Sequence, residues 1–196
     1  MHTLHSSTNA SAASLEGWIK SEIPDQKKLE EAGLLHRLDF ETSGLILAAR
    51  NSVAIKAAEE ALGDSQTMQK FYLAVIDGVP SLSSGGFSLH FESRYRRSKK
   101  ASVSTTGAPK TRGECRWKIL ERWGKRTLLQ VELIGPGKRH QIRAGLAHSR
   151  WPISGDSLYG GKDWSGGFGL HSWRIHWGNL TATCPPPERW NVAIQT

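Results

Sequence analysis

His36-Arg37-Leu38-Asp39-Phe40-Glu41-Thr42-Ser43-Gly44-Leu45 sets one carboxylate, Asp39, close to two basic side chains, just before a turn and an apolar segment. Nearby cations favour the charged form of a carboxylate, so the pattern suits a reactive Asp held ionised at the mouth of a cleft. A second run of similar character, Gly137-Lys138-Arg139-His140-Gln141-Ile142-Arg143, follows much later in the chain. A carboxylate nucleophile must be ionised, partly desolvated and unable to swing away. An arginine meets all three needs through a bidentate, charge-assisted pair. Arg143 is a candidate partner of Asp39, beside the plainer reading in which Asp39 only caps the turn Phe40–Ser43 or pairs with Arg37.

The flanking residues extend these runs into a fold. Ser14 is placed to cap a short helix through Leu15, Trp18 and Ile19, stopped by Pro24. Leu45–Ala49 reads as a short buried strand. Ser52–Leu62 reads as a helix with Ala54, Ala57, Ala58, Ala61 and Leu62 on one side and Gly63 as its stop. Residues 69–79 are apolar on both alternating faces, as in a central strand ended by Asp77-Gly78. Residues 80–113 are rich in Ser, Gly, Thr and charge and read as a hairpin or excursion between two halves of a sheet. Thr127–Ile134 alternates like a half-buried strand. A helix is expected from Gly137 to about His148, and residues 170–177 and 189–194 read as closing strands around Pro185-Pro186-Pro187. The class is α+β, a sheet with helices outside.

Composition narrows the function. With 196 residues, 38% hydrophobic content and 8 Trp, the chain has a sizeable core and is not disordered. A net charge of +8 and a pI of about 9.7 call for an anionic partner, nucleic acid first. Cys115 and Cys184 belong to no CxxC pair, so neither a disulfide framework nor a zinc knuckle is implied. No apolar run nears the ~20 residues of a membrane helix. The stretch MHTLHSSTNASAAS lacks the apolar core of a signal peptide, and the reading is of a cytoplasmic protein. There is no P-loop and no GxSxG.

Five segments occur in a fixed order: HRLDFETSGLILAARN, KFYLAVIDG, GKRHQIRAGLAH, Pro152-Ile153-Ser154-Gly155-Asp156-Ser157-Leu158-Tyr159-Gly160, and Leu170-His171-Ser172-Trp173. Over about residues 30–187 they resemble the signature of the ribosomal large-subunit (Rlu) type of RNA pseudouridine synthase. The resemblance implies a mixed, largely antiparallel sheet with flanking helices and a central cleft. It further implies isomerisation of uridine in ribosomal or transfer RNA, without cofactor or metal and with no obligate protein partner. Residues 1–196 are expected to form a single catalytic domain. By the same resemblance Asp39 is the nucleophile, Arg143 supports it and Tyr72 of the K-x-Y-x-A strand contacts the uracil ring. Arg37 fills the stack from which the target base is flipped, an extrusion that costs roughly a few kcal/mol. His36, Lys138, Arg139, His140 and Gln141 fall at the substrate- and RNA-binding rim.

Three departures from the family pattern accompany the match. Lys138 stands where the family has Arg, keeping charge but losing a bidentate fork. Gly145 interrupts a helix at a cost of about 1 kcal/mol relative to Ala. The usual first strand and a small N-terminal RNA-binding domain are missing, which predicts an unpaired sheet edge near the N-terminus.

Two further readings come from the residues themselves. Arg94, Arg96, Arg97, Lys99 and Lys100, with Tyr95 among them, put five cations in seven residues, suited to phosphate contacts and base stacking. Lys138 and Arg139 fall where a helix start favours anions. Against the enzyme stand a non-catalytic RNA-binding protein of the same fold, and a metal hydrolase using His36, His140, His148, Asp39 or Asp156. The latter shows none of the tight ligand spacings that metal sites need.

Overall fold

A strand apolar on both faces needs cover on both faces, and Met68–Asp77 has it at the middle of the sheet. The computed structural model describes residues 14–62, 64, 67–93 and 98–194. In chain order these form α1 (Leu15–Glu22), β1 (Ser43–Gly44), α2 (Ser52–Leu62), β2 (Met68–Asp77), β3 (Ser84–Glu92) and β4 (Ser102–Ser104). Then follow β5 (Arg112–Trp123), β6 (Arg126–Ile134), α3 (Gln141–His148), β7 (Leu170–Trp177), β8 (Leu180–Thr183) and α4 (Glu188–Ile194). The strands make one sheet in the order β1-β7-β2-β6-β5-β3-β4, with β8 also on β7. Every pairing is antiparallel except that of β1 with β7. The architecture is the expected α+β class with a largely antiparallel sheet.

The two faces of β2 differ. Tyr72, Ala74 and Ile76 enter a core with Trp117, Leu129, Val131 and the α3 residues Ile142 and Leu146. Leu73 and Val75 face a second cluster of Trp123, Trp164, Trp173 and Trp190. β6 alternates as read, with Thr127, Leu129, Val131 and Leu133 buried. Ser14 caps α1, its hydroxyl accepting from the Gly17 N–H at 3.0 Å. No helix among the described residues is long and apolar enough to cross a membrane.

Several boundaries differ from the sequence reading. Residues 45–49 are not a strand of the sheet. The ladder stops at Gly44, and only an isolated bridge joins Ala48 to Leu34, because residues 34–36 and 45–49 run alongside each other as the two arms of a loop. In α2, Ala57 is exposed, and the inward stripe is Ala54, Ile55, Ala58, Ala61 and Leu62, following the helical period more closely. Gly63 lies outside the described residues. α3 begins at Gln141 rather than Gly137, because His140 takes a left-handed conformation (φ 54°) that no helix interior admits. Lys138 and Arg139 therefore sit in the preceding turn. Residues 189–194 lie in a helix, not a strand, and Trp190 of that helix is buried against the aromatic face. Residues 80–113 resolve into β3, β4 and the start of β5, so the hairpin reading holds for their described part. The N-terminal edge was expected near residues 1–13, which lie outside the described residues.

Gly145 has a packing reason. A Cβ there would stand 2.2 Å from the Phe87 ring, so the absent side chain lets β3 seat an aromatic directly on α3.

Candidate active site

Asp39 sits at the tip of the loop between residues 34 and 49. The arms are tied by Leu35 N–H to Leu47 O (3.0 Å) and by Leu47 N–H to His36 Nε2 (3.1 Å). The tip closes as a turn, Thr42 N–H donating to the Asp39 carbonyl at 3.0 Å. Because the backbone closes the turn, the Asp39 side chain is not consumed in capping it. Beyond the tip the chain joins β7 through Gly44, where an added Cβ would meet the Ser172 carbonyl oxygen at 2.1 Å. Only glycine allows that approach, and it fixes where the loop leaves the sheet. The Ser43 hydroxyl and His171 Nδ1, 2.8 Å apart, anchor the same junction.

Arg143 of α3 reaches Asp39, but not by the expected fork. Its Nη1 donates to Asp39 Oδ2 at 3.1 Å, a single hydrogen bond. The bidentate partner is Asp156, with Nε to Oδ2 at 2.7 Å and Nη2 to Oδ1 at 2.9 Å. The geometry explains the division of labour. Asp156 is fully buried and its charge has to be paired, so it takes the planar fork, leaving one N–H for the more exposed Asp39. Glu41 Oε2 adds a looser contact at 3.8 Å. The guanidinium lies over the rings of Phe168 (5.0 Å) and Tyr159 (5.4 Å). Burial opposes its charge, but the hydrogen bonds and charges of Asp156 and then Asp39 outweigh that and push its pKa up. It is a fixed, permanently charged post.

His140 completes the contacts to the carboxylate, its Nε2 standing 3.7 Å from Asp39 Oδ1. Burial, aided by the cations Arg143 and Arg139 and opposed by Asp39, lowers its pKa, so the ring is neutral at pH 7. Tyr72 is buried on the α3 face of β2. Burial pushes its hydroxyl up to about 12, a hydrogen bond with Ser172 works against this, and the charge of Asp39 raises it further. Tyr72 is thus a protonated phenol near the carboxylate, a ring with a hydrogen-bond donor and not a phenolate base.

Other predicted site residues have different neighbours. His36 receives the Leu47 N–H, and burial followed by the charge of Lys70 lowers its pKa to about 4, so it is a neutral brace of the loop. Gln141 is buried and spent, accepting from Lys138 N–H (2.8 Å) and donating to the Glu114 carbonyl (2.9 Å). Arg139 reaches Ser93 Oγ (3.3 Å) and the Lys99 carbonyl (3.2 Å), stapling together the two ends of the basic segment. Lys100 lies over Tyr159 at 5.8 Å, while Arg37 and Lys99 are exposed. Arg94, Arg96 and Arg97 lie outside the described residues. Two hollows, of about 480 Å³ against β3 and β5 and about 520 Å³ along α2, contain none of these groups.

Sequence reasoning gave Asp156 no part in holding Arg143 and gave Tyr159 and Ser172 no part at all. All three stood inside quoted segments, so the signal was present, but nothing local reveals that an Asp thirteen residues past Arg143 returns to it.

Known proteins are similar to this chain in sequence and in fold. A family model described as RNA pseudouridylate synthase matches residues 2–148. Ribosomal large subunit pseudouridine synthase D of Xylella fastidiosa is 38% identical over 140 residues, 71% of this chain and 40% of its own length. Ribosomal large subunit pseudouridine synthase C of Escherichia coli strain K12 is 31% identical over 192 residues, 93% of this chain and 56% of its own. The chain thus spans about half the length of the curated relatives it matches. In fold it is similar to human RNA Pseudouridylate Synthase Domain Containing 4, with a TM-score of 0.75 at 18% identity, covering 100% of this chain and 86% of that one. With the family model matching well over half its residues, the chain belongs to the RNA pseudouridylate synthase family.

Proposed function

We propose that the chain isomerises uridine to pseudouridine in structured RNA, with Asp39 as the nucleophile and the described residues acting as one catalytic unit. The observation that carries this reading is the Asp39 carboxylate, held by one N–H of an arginine that a second, buried carboxylate locks in place. Such a group is preorganised and still 23% exposed, as attack on a bound nucleotide requires.

In the reaction Asp39 attacks the ribose or the base, and the N1–C1′ glycosidic bond breaks. The uracil turns in place, C5 bonds to C1′, and the bond formed by Asp39 breaks with its electron pair returning to the carboxylate. C5 then loses its proton and N1 gains one, so no electrons enter or leave and no cofactor or metal is called for. Tyr72 supports the ring and donates through its hydroxyl, while Arg143 keeps Asp39 aimed. A stacked uridine is out of reach, so the base is flipped, and the exposed Arg37 fills the gap as a planar cation able to stack and hydrogen-bond. Lys138, Lys99 and Lys100 supply phosphate contacts. Large-subunit ribosomal RNA is the first substrate to try, since the relatives carry that target in their names.

The test is tritium release from [5-³H]uridine-labelled RNA. Release by the wild type, unaffected by EDTA and abolished in Asp39→Asn while RNA affinity is kept, is the expected result. RNA binding without any release would overturn the reading in favour of an RNA-binding protein that keeps the fold. Release that EDTA abolishes would overturn it in favour of metal chemistry.

A further inference from the structure

Tyr159 sits where three separate parts of the chain meet. Its hydroxyl accepts the Ala101 N–H at 2.8 Å, from the hairpin strand β4 and its approach. The same oxygen stands 2.9 Å from His140 Nδ1. Its ring packs edge-on to the imidazole at 5.7 Å and lies under the Arg143 guanidinium. Its backbone N–H points at Asp156 Oδ1 (3.3 Å), the carboxylate that locks Arg143.

These contacts fix protons. Burial raises the Tyr159 pKa, so the phenol keeps its O–H. The oxygen already receives the Ala101 amide, so its own hydrogen needs an acceptor, and His140 Nδ1 is the one in reach among the described residues. A ring that accepts at Nδ1 carries its hydrogen on Nε2, the nitrogen facing Asp39 Oδ1 at 3.7 Å. The charged groups around the ring are Asp39 of the loop, Arg139 of the preceding turn, Arg143 of α3 and Asp156 beside Tyr159. His140 also holds a left-handed backbone (φ 54°), a strained state for a residue with a Cβ.

We propose that Tyr159 is a positioning residue that acts on Asp39 through His140: its hydroxyl locks the imidazole in the Nε2–H tautomer, so that an N–H rather than a lone pair faces the nucleophile. The proposal rests on Asp39 being that nucleophile. In this arrangement the two carboxylate oxygens have different supports, Oδ2 on the fixed charge of Arg143 and Oδ1 facing a neutral dipole. The opposite tautomer would turn a lone pair on the carboxylate and push it out of line. The anchor at Ala101 also ties the β3–β4 hairpin, whose far ends Arg139 staples, to the geometry of the nucleophile.

The experiment has two arms. Nitrogen-15 histidine spectra of the wild type, with His140 assigned by its loss in His140→Asn, should show Nε2 protonated at pH 7, and Tyr159→Phe should show both tautomers. Tritium release should fall about tenfold in kcat for Tyr159→Phe with KM for RNA unchanged, the scale of one lost neutral hydrogen bond. A wild-type ring protonated on Nδ1 would overturn the proposal, as would an altered tautomer with unchanged kcat. An active Asp39→Asn would instead overturn the reading of the nucleophile, and the spectra would report the tautomer regardless.

Discussion

The two faces of β2 are built on opposite terms. On the side of Tyr72, polar groups are buried in numbers, and each of the critical ones is paired: Asp156 with Arg143, Arg143 with Asp39, Gln141 with Glu114 and Lys138. On the side of Leu73 and Val75 the cover is aromatic, Trp123, Trp164, Trp173 and Trp190. There the buried indole nitrogens of Trp123, Trp164 and Trp190 have no hydrogen-bond partner among the described residues. Leaving such a donor unpaired costs about 1–3 kcal/mol, which large apolar burial offsets. The contrast teaches that one face maximises area, whereas the other gives up area to hold charges at fixed positions.

The sharpest way to break this contrast is Asp156→Ala. It strands the buried Arg143 charge and should cost about 3–5 kcal/mol of stability, with turnover lost as well. Urea unfolding and tritium release check both. Trp190→Ala attacks the other face and should cost a similar or slightly smaller amount, about 3–4 kcal/mol, by opening a cavity. Here kcat of the folded protein should change far less than stability, and equal losses would show that the two faces are not independent. One structural link already crosses between them, the His171 ring, which packs on Trp190 at 6.1 Å and meets Ser43 at the loop junction.

The site face should also be pH-sensitive. His36 is held neutral, its pKa lowered from 6.5 to about 4 by burial and then by Lys70. Between those values the unfolded chain binds a proton that the folded chain does not, so stability rises with pH across this window. It is fully present above about 6.5 and lost as pH falls toward 4, by up to roughly 3 kcal/mol. Urea midpoints from pH 4 to 7 should fall less steeply in His36→Asn than in the wild type. The smallest effect expected is that of Gly145→Ala, about 1–3 kcal/mol destabilising from overpacking against Phe87. Helix propensity alone predicts the opposite sign, a gain of about 1 kcal/mol. Phe87→Leu, added to Gly145→Ala, should recover part of the loss in thermal unfolding.

Much of this molecule was legible in the chain. The central strand, the alternation of β6 and the Ser14 cap follow from period and cap chemistry, local properties, whereas the pairing of Asp39 with Arg143 across 104 residues was legible only through the family resemblance. The elements misread were those whose local pattern has two solutions. Residues 45–49 are apolar enough for a strand but serve as the arm of a loop. Residues 189–194 are short, and a helix and a strand are hard to tell apart at that length until Trp190 finds the aromatic face.

What the sequence by itself determined is which chemistry is present: one carboxylate among cations, an arginine to meet it and an aromatic strand beneath. What only the tertiary structure decided is how that chemistry is apportioned. Arg143 gives its fork to Asp156 and a single N–H to Asp39, and Tyr159 sets the proton on His140, because these partners meet only after the loop after α3 folds back. Sequence spacing fixes which side chains exist. Hydrogen-bond geometry depends on distances of a few tenths of an ångström, and those are set by packing among segments far apart in the chain.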